Sequence, residues 1–153
     1  MNLKLEAIVI PVSDVDRAKK FYVEKLGFRE DIDHRAEVYE RAIGFRYRGA
    51  PNYRIVQLTP PGSECSIQIG TGITRAVPGA FEGMYLVTSD IETTRAELLN
   101  RGVNVSEPFH FGPDGQTPGV HPENQDCISY ASFRDPDGNS WLIQEIKKRL
   151  PER

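Results

Sequence analysis

The chain has 153 residues, of which 27% are charged, and carries a formal net charge of −3 with a pI near 5.6. That length suits one compact domain or two small modules sharing a core, and so slight an acidic balance leaves no electrostatic footprint for nucleic acid or an anionic membrane. No apolar run approaches a membrane span, and the N-terminus passes straight into a strand pattern without a signal-peptide profile, so a cytoplasmic protein is expected.

In chain order, residues 5–12 form the first predicted strand, and a helix follows from Ser13. Ser13 stands at an N-cap position with Asp16 three residues later, a capping-box arrangement that satisfies the free N–H groups of a helix start. Val15, Ala18, Phe21, Tyr22 and Leu26 fall on one stripe, which assigns these aromatics to a core, and Gly27 stops the helix. Strand-like runs follow at residues 28–37, 53–59 and 65–69, punctuated by Gly and Pro.

The second half repeats this design. A strand at residues 83–88 leads to a helix opened by Ser89 with Glu92 three residues on, carrying Ile91, Leu98 and Leu99 and ending at Gly102. Strands are predicted at residues 103–111, 128–133 and 140–146, and residues 111–124 form a Gly/Pro-rich loop of the sort that serves as a lid or is simply disordered. Each half reads β-α-β-β-β, giving an α+β fold: one domain over residues 1–153, with modules at 1–70 and 81–148 and a linker at 71–80. Cys65 and Cys127 form no C-x-x-C pair and are expected as free buried thiols, with a disulfide between them left open.

Asp135-Pro136-Asp137-Gly138-Asn139 alternates oxygen side chains as the start of a calcium loop does, yet Ser140 stands where that motif needs its Gly and Ile146 where it needs its Glu. The alternative is a hairpin turn, in which Pro136 presets φ and Asp-Gly supplies the positive-φ positions between two flanking strands. The turn is the expected reading.

Val12-Ser-Asp-Val-Asp-Arg-Ala-Lys-Lys-Phe-Tyr22, Leu26-Gly-Phe28 and Phe133-Arg-Asp-Pro-Asp-Gly-Asn139, set in the duplication, make the chain resemble the vicinal oxygen chelate superfamily. That group contains glyoxalase I, extradiol dioxygenases, fosfomycin-resistance enzymes and bleomycin-binding proteins. The resemblance implies paired modules curled around a central cavity, a homodimer and a small-molecule ligand or substrate. Metal-dependent members place ligands on the first and last strands of each module, where this chain has Ala7, Gln68, Gly83 and Leu142. Three of those four side chains cannot hold a metal, so neither a metal nor another cofactor is expected. A different site could combine His110, His121 and Glu107 or Glu123, but histidines near loops are read first as hydrogen-bonded or surface residues.

Strand alternation places Trp141 and Ile143, like Ile67 and Ile69, toward the helices. Gln68, Leu142, Gln144, Tyr85 and Val87 then share the opposite face, and Gln68, Tyr85, Tyr130 and Gln144 are the candidate substrate-binding residues. His110 is the candidate catalytic residue, since only it among the predicted strand residues could shuttle a proton near neutral pH; alternation fixes the face of neither His110 nor Tyr130. Three functions stay open: a metal-free glyoxalase-like enzyme or binder, a metal-dependent lyase, isomerase or dioxygenase, and a protein that sequesters a drug or metabolite.

Overall fold

The computed structural model describes residues 1–36, 53–123 and 128–148; Cys127 and the last residues of two predicted segments, at positions 37 and 124, lie outside these. The chain divides into two compact units, one of Met1–Phe81 with Pro136–Asn139 and one of Glu82–Asp135 with Ser140–Arg153.

In the first unit β1 (Ala7–Val9) leads to α1 (Val15–Lys20), whose last turn widens into a π-helical turn over Phe21–Lys25. β2 (Arg29–Ala36), β3 (Tyr53–Thr59) and β4 (Ser66–Thr71) complete a four-stranded sheet in the order β1-β4-β3-β2, with β1 parallel to β4 and the other pairs antiparallel. Val56, Leu58, Ile67 and Ile69 alternate onto the face that α1 covers, where they bury with Ala18 and Tyr22. Tyr22 is fully enclosed, its ring edge-on to Phe21 at 5.4 Å and tilted against Phe28 at 5.6 Å.

The second unit holds β5 (Met84–Thr88), α2 (Ile91–Asn100), β6 (Phe109–Gly112), β7 (Gly115–Pro118), β8 (Ser129–Arg134) and β9 (Ser140–Glu145), with sheet order β5-β9-β8-β6-β7. Met84, Ala131, Phe133, Trp141 and Ile143 bury on the face toward α2, with the Phe133 and Trp141 rings stacked across the β8–β9 pair. β5 runs parallel to β9 as β1 does to β4, so each unit carries the β-α-β-β-β order that the duplication implies. β7 is an addition: part of the predicted loop folds back on β6 as a hairpin.

Both helix starts differ from expectation by one residue. The N-caps are Asp14 and Asp90, whose carboxylates accept the N–H groups of Arg17 and Thr93, and not Ser13 and Ser89. Asp is as good a cap as Ser and also complements the positive end of the helix dipole. Thr93 and its own N–H hold the Asp90 carboxyl below the usual carboxylate range. Ser13 is used elsewhere: its hydroxyl donates to Asp137, which also receives Arg17 Nη2 at 3.0 Å.

The glycine stops appear as expected, with Gly27 at φ 74° and Gly102 at φ 75°. Gly79 is the more demanding position, because a Cβ there would lie 2.2 Å from the Asp137 carbonyl oxygen at a φ of 80°. Gly79→Ala is expected to cost at least about 1–3 kcal/mol from the left-handed backbone alone, with the clash added. Gly62→Ala, at φ 76° with nothing within 4 Å, should cost only the backbone part. Denaturant unfolding of the two variants side by side checks the difference.

Candidate small-molecule site

The register fixes which side chains share the faces turned away from the helices. In the second unit, Tyr85 pairs with Leu142 and Leu142 with Ser132, while Val87, Gln144, Tyr130 and Phe109 form the adjoining row. Phe111 follows on the same side two residues beyond Phe109. The candidates Tyr85, Tyr130 and Gln144 therefore stand on one face, with Gln144 Nε2 donating to the Tyr130 hydroxyl at 3.4 Å. Phe109, Phe111 and Tyr130 form a three-ring cluster with centroids 5.7–5.9 Å apart. Tyr85 at 55%, Val87 at 41% and Phe111 at 59% exposure leave apolar side chains open on this face among the described residues.

His110 lies on the other side. It pairs with Ser129 while Phe109 pairs with Tyr130, so the imidazole points away from the aromatic face and is 7% exposed. A carbonyl can only accept, so Nδ1, 2.8 Å from the Gly119 oxygen, carries the proton. His121 packs edge-on to His110 at 5.2 Å, and its Nδ1 accepts the Glu123 N–H at 3.3 Å. Each ring thus has one nitrogen committed to backbone, and Glu107 is held by Arg95 at 2.5 Å. Among the described residues no three His, Cys, Asp or Glu side chains gather as a metal would require.

Gln68 stands on the face of the first sheet opposite α1, beside Val9 on β1 and Gln57 on β3. Its Nε2 donates to Gln57 Oε1 at 3.0 Å, and the Gln57 side chain hydrogen-bonds in turn to Asp31. Asp31 also accepts the Thr59 hydroxyl and Arg29 Nε at 2.7 Å; Thr59 and Arg29 hold its carboxyl below the usual range. Thr59 spends its proton on Asp31, so the 2.6 Å contact between Thr59 and the buried Ser66 must be donated by Ser66. β1 carries only Ala7 and Val9 beside this row. The residues at the family's ligand positions therefore do not fit a divalent ion: Gln68 alone offers an oxygen, and Ala7, Gly83 and Leu142 offer none.

Sequence reasoning missed Gln57, Asp31 and Thr59 as a network because it depends on cross-strand register. A β-bulge between Glu30 and Ile32 intervenes in β2, and alternation alone does not show it. Phe111 was placed at a strand end without a face, for the same reason.

Two modules of β-α-β-β-β order, each a sheet with a helix packed on one face, define the class of fold. The sequence profile of the Glyoxalase/Bleomycin resistance protein/Dioxygenase superfamily matches residues 4–143, and the chain belongs to that family. Among solved structures it is similar to TnmS3, an antibiotic binding protein from Streptomyces sp. CB03234, at 28% identity and a TM-score of 0.67 over 95% of this chain and 97% of that one. A glyoxalase/bleomycin resistance protein from the same strain is 28% identical with a TM-score of 0.63, covering 93% of this chain and 100% of its own. A member of the superfamily from Sphaerobacter thermophilus DSM 20745 is 26% identical with a TM-score of 0.61, over 94% and 98% of the two chains. Comparison with curated proteins finds no match. No described helix is long and apolar enough to cross a membrane.

Proposed function

We propose that this chain binds a small organic molecule with an apolar, aromatic body, and does so without a divalent metal. The observation that carries the reading is the second sheet's face turned away from α2, where Tyr85, Val87 and Phe111 are exposed beside Tyr130 and Leu142. Aromatic rings so arranged offer flat faces and edges for stacking, while Gln144 and the Tyr130 hydroxyl supply the few polar groups that orient a ligand. The similarity to an antibiotic binding protein supports binding as the first reading. His110, on the helix side and committed to Gly119, is assigned to holding the β6–β7 hairpin and not to proton transfer on a ligand.

The test is an NMR titration of the labelled protein with two naphthalene probes, 2-naphthol and 2-methoxynaphthalene. Saturable shifts are expected at Tyr85, Val87, Phe111 and Tyr130, and Tyr85→Ala should weaken binding about three- to tenfold, the worth of one aromatic contact. Absence of saturable shifts at this face would remove the reading. Metal analysis of the purified protein is expected to find no stoichiometric divalent ion. One ion per chain, whose removal abolishes a measured activity, would restore the metalloenzyme alternative.

A further inference from the structure

The second sheet's face turned away from α2 is graded from one end to the other. Its rows run Arg134 beside Ser140, then Ser132 beside Leu142, then Tyr130 beside Gln144, all within the second unit. Phe109 pairs with Tyr130, and because β6 runs antiparallel to β8, Phe111 lies one row further from Arg134. The rings therefore gather at one end and the guanidinium stands toward the other, four residues along β8 from Tyr130, a span of about 13 Å for an extended strand. Arg134 is exposed, and among the described residues of the five strands no other on this face is charged. A guanidinium carries five N–H donors in a planar fork, so a contact on one side of Arg134 leaves donors for a ligand on the other.

We propose that Arg134 is a specificity-determining residue that receives a carboxylate of the ligand, so that this face takes amphipathic aromatic acids, with the rings on Phe109, Phe111 and Tyr130 and the acid toward the β8–β9 turn. One guanidinium balances one negative charge, which fits a carboxylate and leaves a dianionic phosphate half neutralised. The chain as a whole is acidic, at −3, so its overall field disfavours an anion and a preference for one must come from a local cation. This inference rests on the binding reading above and names the class of ligand that the second sheet would select.

A matched pair of probes tests it: 4-(2-naphthyl)butanoate, ionised at neutral pH, and the corresponding primary amide, which has nearly the same shape and no charge. In the wild type the acid should bind about two- to fivefold tighter, the worth of one exposed ion pair, and should shift the Arg134 Nε resonance together with Phe111 and Tyr130. Arg134→Gln should bring the ratio of affinities to one or below while the amide binds as before, which a merely structural loss does not produce. Arg134→Lys, which keeps the charge, should keep part of the preference, and Arg134→Glu should reverse it. A parallel loss of both probes in Arg134→Gln, or an unchanged ratio, overturns the role of Arg134. Equal wild-type affinity for the two probes, with the shifts at Phe111 and Tyr130 intact, overturns it as well and leaves the binding reading standing. No saturable binding of either probe overturns both. Where a variant fails to fold, wild-type salt dependence decides: the ratio should fall toward one as salt rises to about 1 M, and a ratio indifferent to salt rules the ion pair out.

Discussion

Replacing Arg54 with methionine is expected to lower the stability of the protein by about 3 kcal/mol, the lower part of the range for removing one partner of a buried ion pair. Arg54 lies on the helix-covered face of the first sheet with its side chain 10% exposed. It grips Asp33 through Nε and Nη2, both at 2.8 Å, and reaches Asp16 on α1 through Nη1 at 2.7 Å. A planar guanidinium can make the two parallel bonds to one carboxylate and still reach a second, which a lysine cannot. The neighbouring Lys19, 2.7 Å from Asp33 and 2.9 Å from Glu30, softens the loss but cannot replace this geometry. Lys19→Met, at a more exposed site, should cost no more than about 1 kcal/mol.

The pH dependence of the Arg54 effect has a definite sign. Arg54, and after it Lys19, hold the Asp33 carboxyl well below the usual carboxylate range in the folded protein. A carboxyl with a depressed folded pKa contributes stability above its unfolded pKa, and loses it as pH falls through the folded one. The gap between wild type and Arg54→Met should therefore be full above about pH 4, the unfolded carboxylate value, and close progressively at lower pH. Urea unfolding at a series of pH values measures it. A gap that is constant with pH would mean that Arg54 stabilises through its aliphatic stem and not through Asp33. Asp33→Asn combined with Arg54→Met should recover part of the loss, since residues in one network do not contribute additively.

The fold was legible where its signals are local. The helix starts, read from Ser13 and Ser89 to within one residue, the stripe from Val15 to Leu26, the glycine stops and the alternation of Trp141 and Ile143 each depend on a few neighbouring residues, and together they point to the β-α-β-β-β order. What was not legible depends on register between distant strands. His110 and Phe109 are adjacent in sequence, and only the pairing with Ser129 and Tyr130 decides which of them meets the aromatic face. The Arg54 cluster joins residues from α1, β2 and β3, and the Gln68 network joins β2, β3 and β4, so no short motif carries either. The helix caps fall between these cases: Ser and Asp at successive positions are both good caps, and at the first helix Ser13 is bonded instead to Asp137, more than a hundred positions away.

Asn139→Ala is the second substitution with a large expected effect, about 3 kcal/mol, because it strips the partner from two backbone groups at once. The Asp-Pro-Asp-Gly-Asn segment is a turn, with Gly138 at φ 100° and Arg134 paired to Ser140 across it. Its last residue does more than turn the chain. Asn139 is fully buried, donates Nδ2 to the Pro11 carbonyl at 2.9 Å and accepts the Phe81 N–H at 3.1 Å. A carbonyl on one side and an N–H on the other require an amide in one orientation, so neither Leu nor Asp replaces it. Asn139→Asp keeps the bond to Phe81 but sets a carboxylate against the Pro11 oxygen, and burial there should raise the folded pKa of the new group above its unfolded value. A raised carboxyl pKa penalises the fold only once the unfolded chain ionises, so Asn139→Asp should be near its most stable at about pH 4 and lose stability as pH rises toward neutrality. Asn139→Ala should show no such slope relative to wild type. Because the β8–β9 ladder holds Tyr130 opposite Gln144 independently of this turn, both variants should keep the probe-induced shifts at Tyr130 wherever they remain folded. Loss of those shifts in a folded Asn139→Ala protein would show that the turn, and not the ladder, sets the register of the face that carries Gln144.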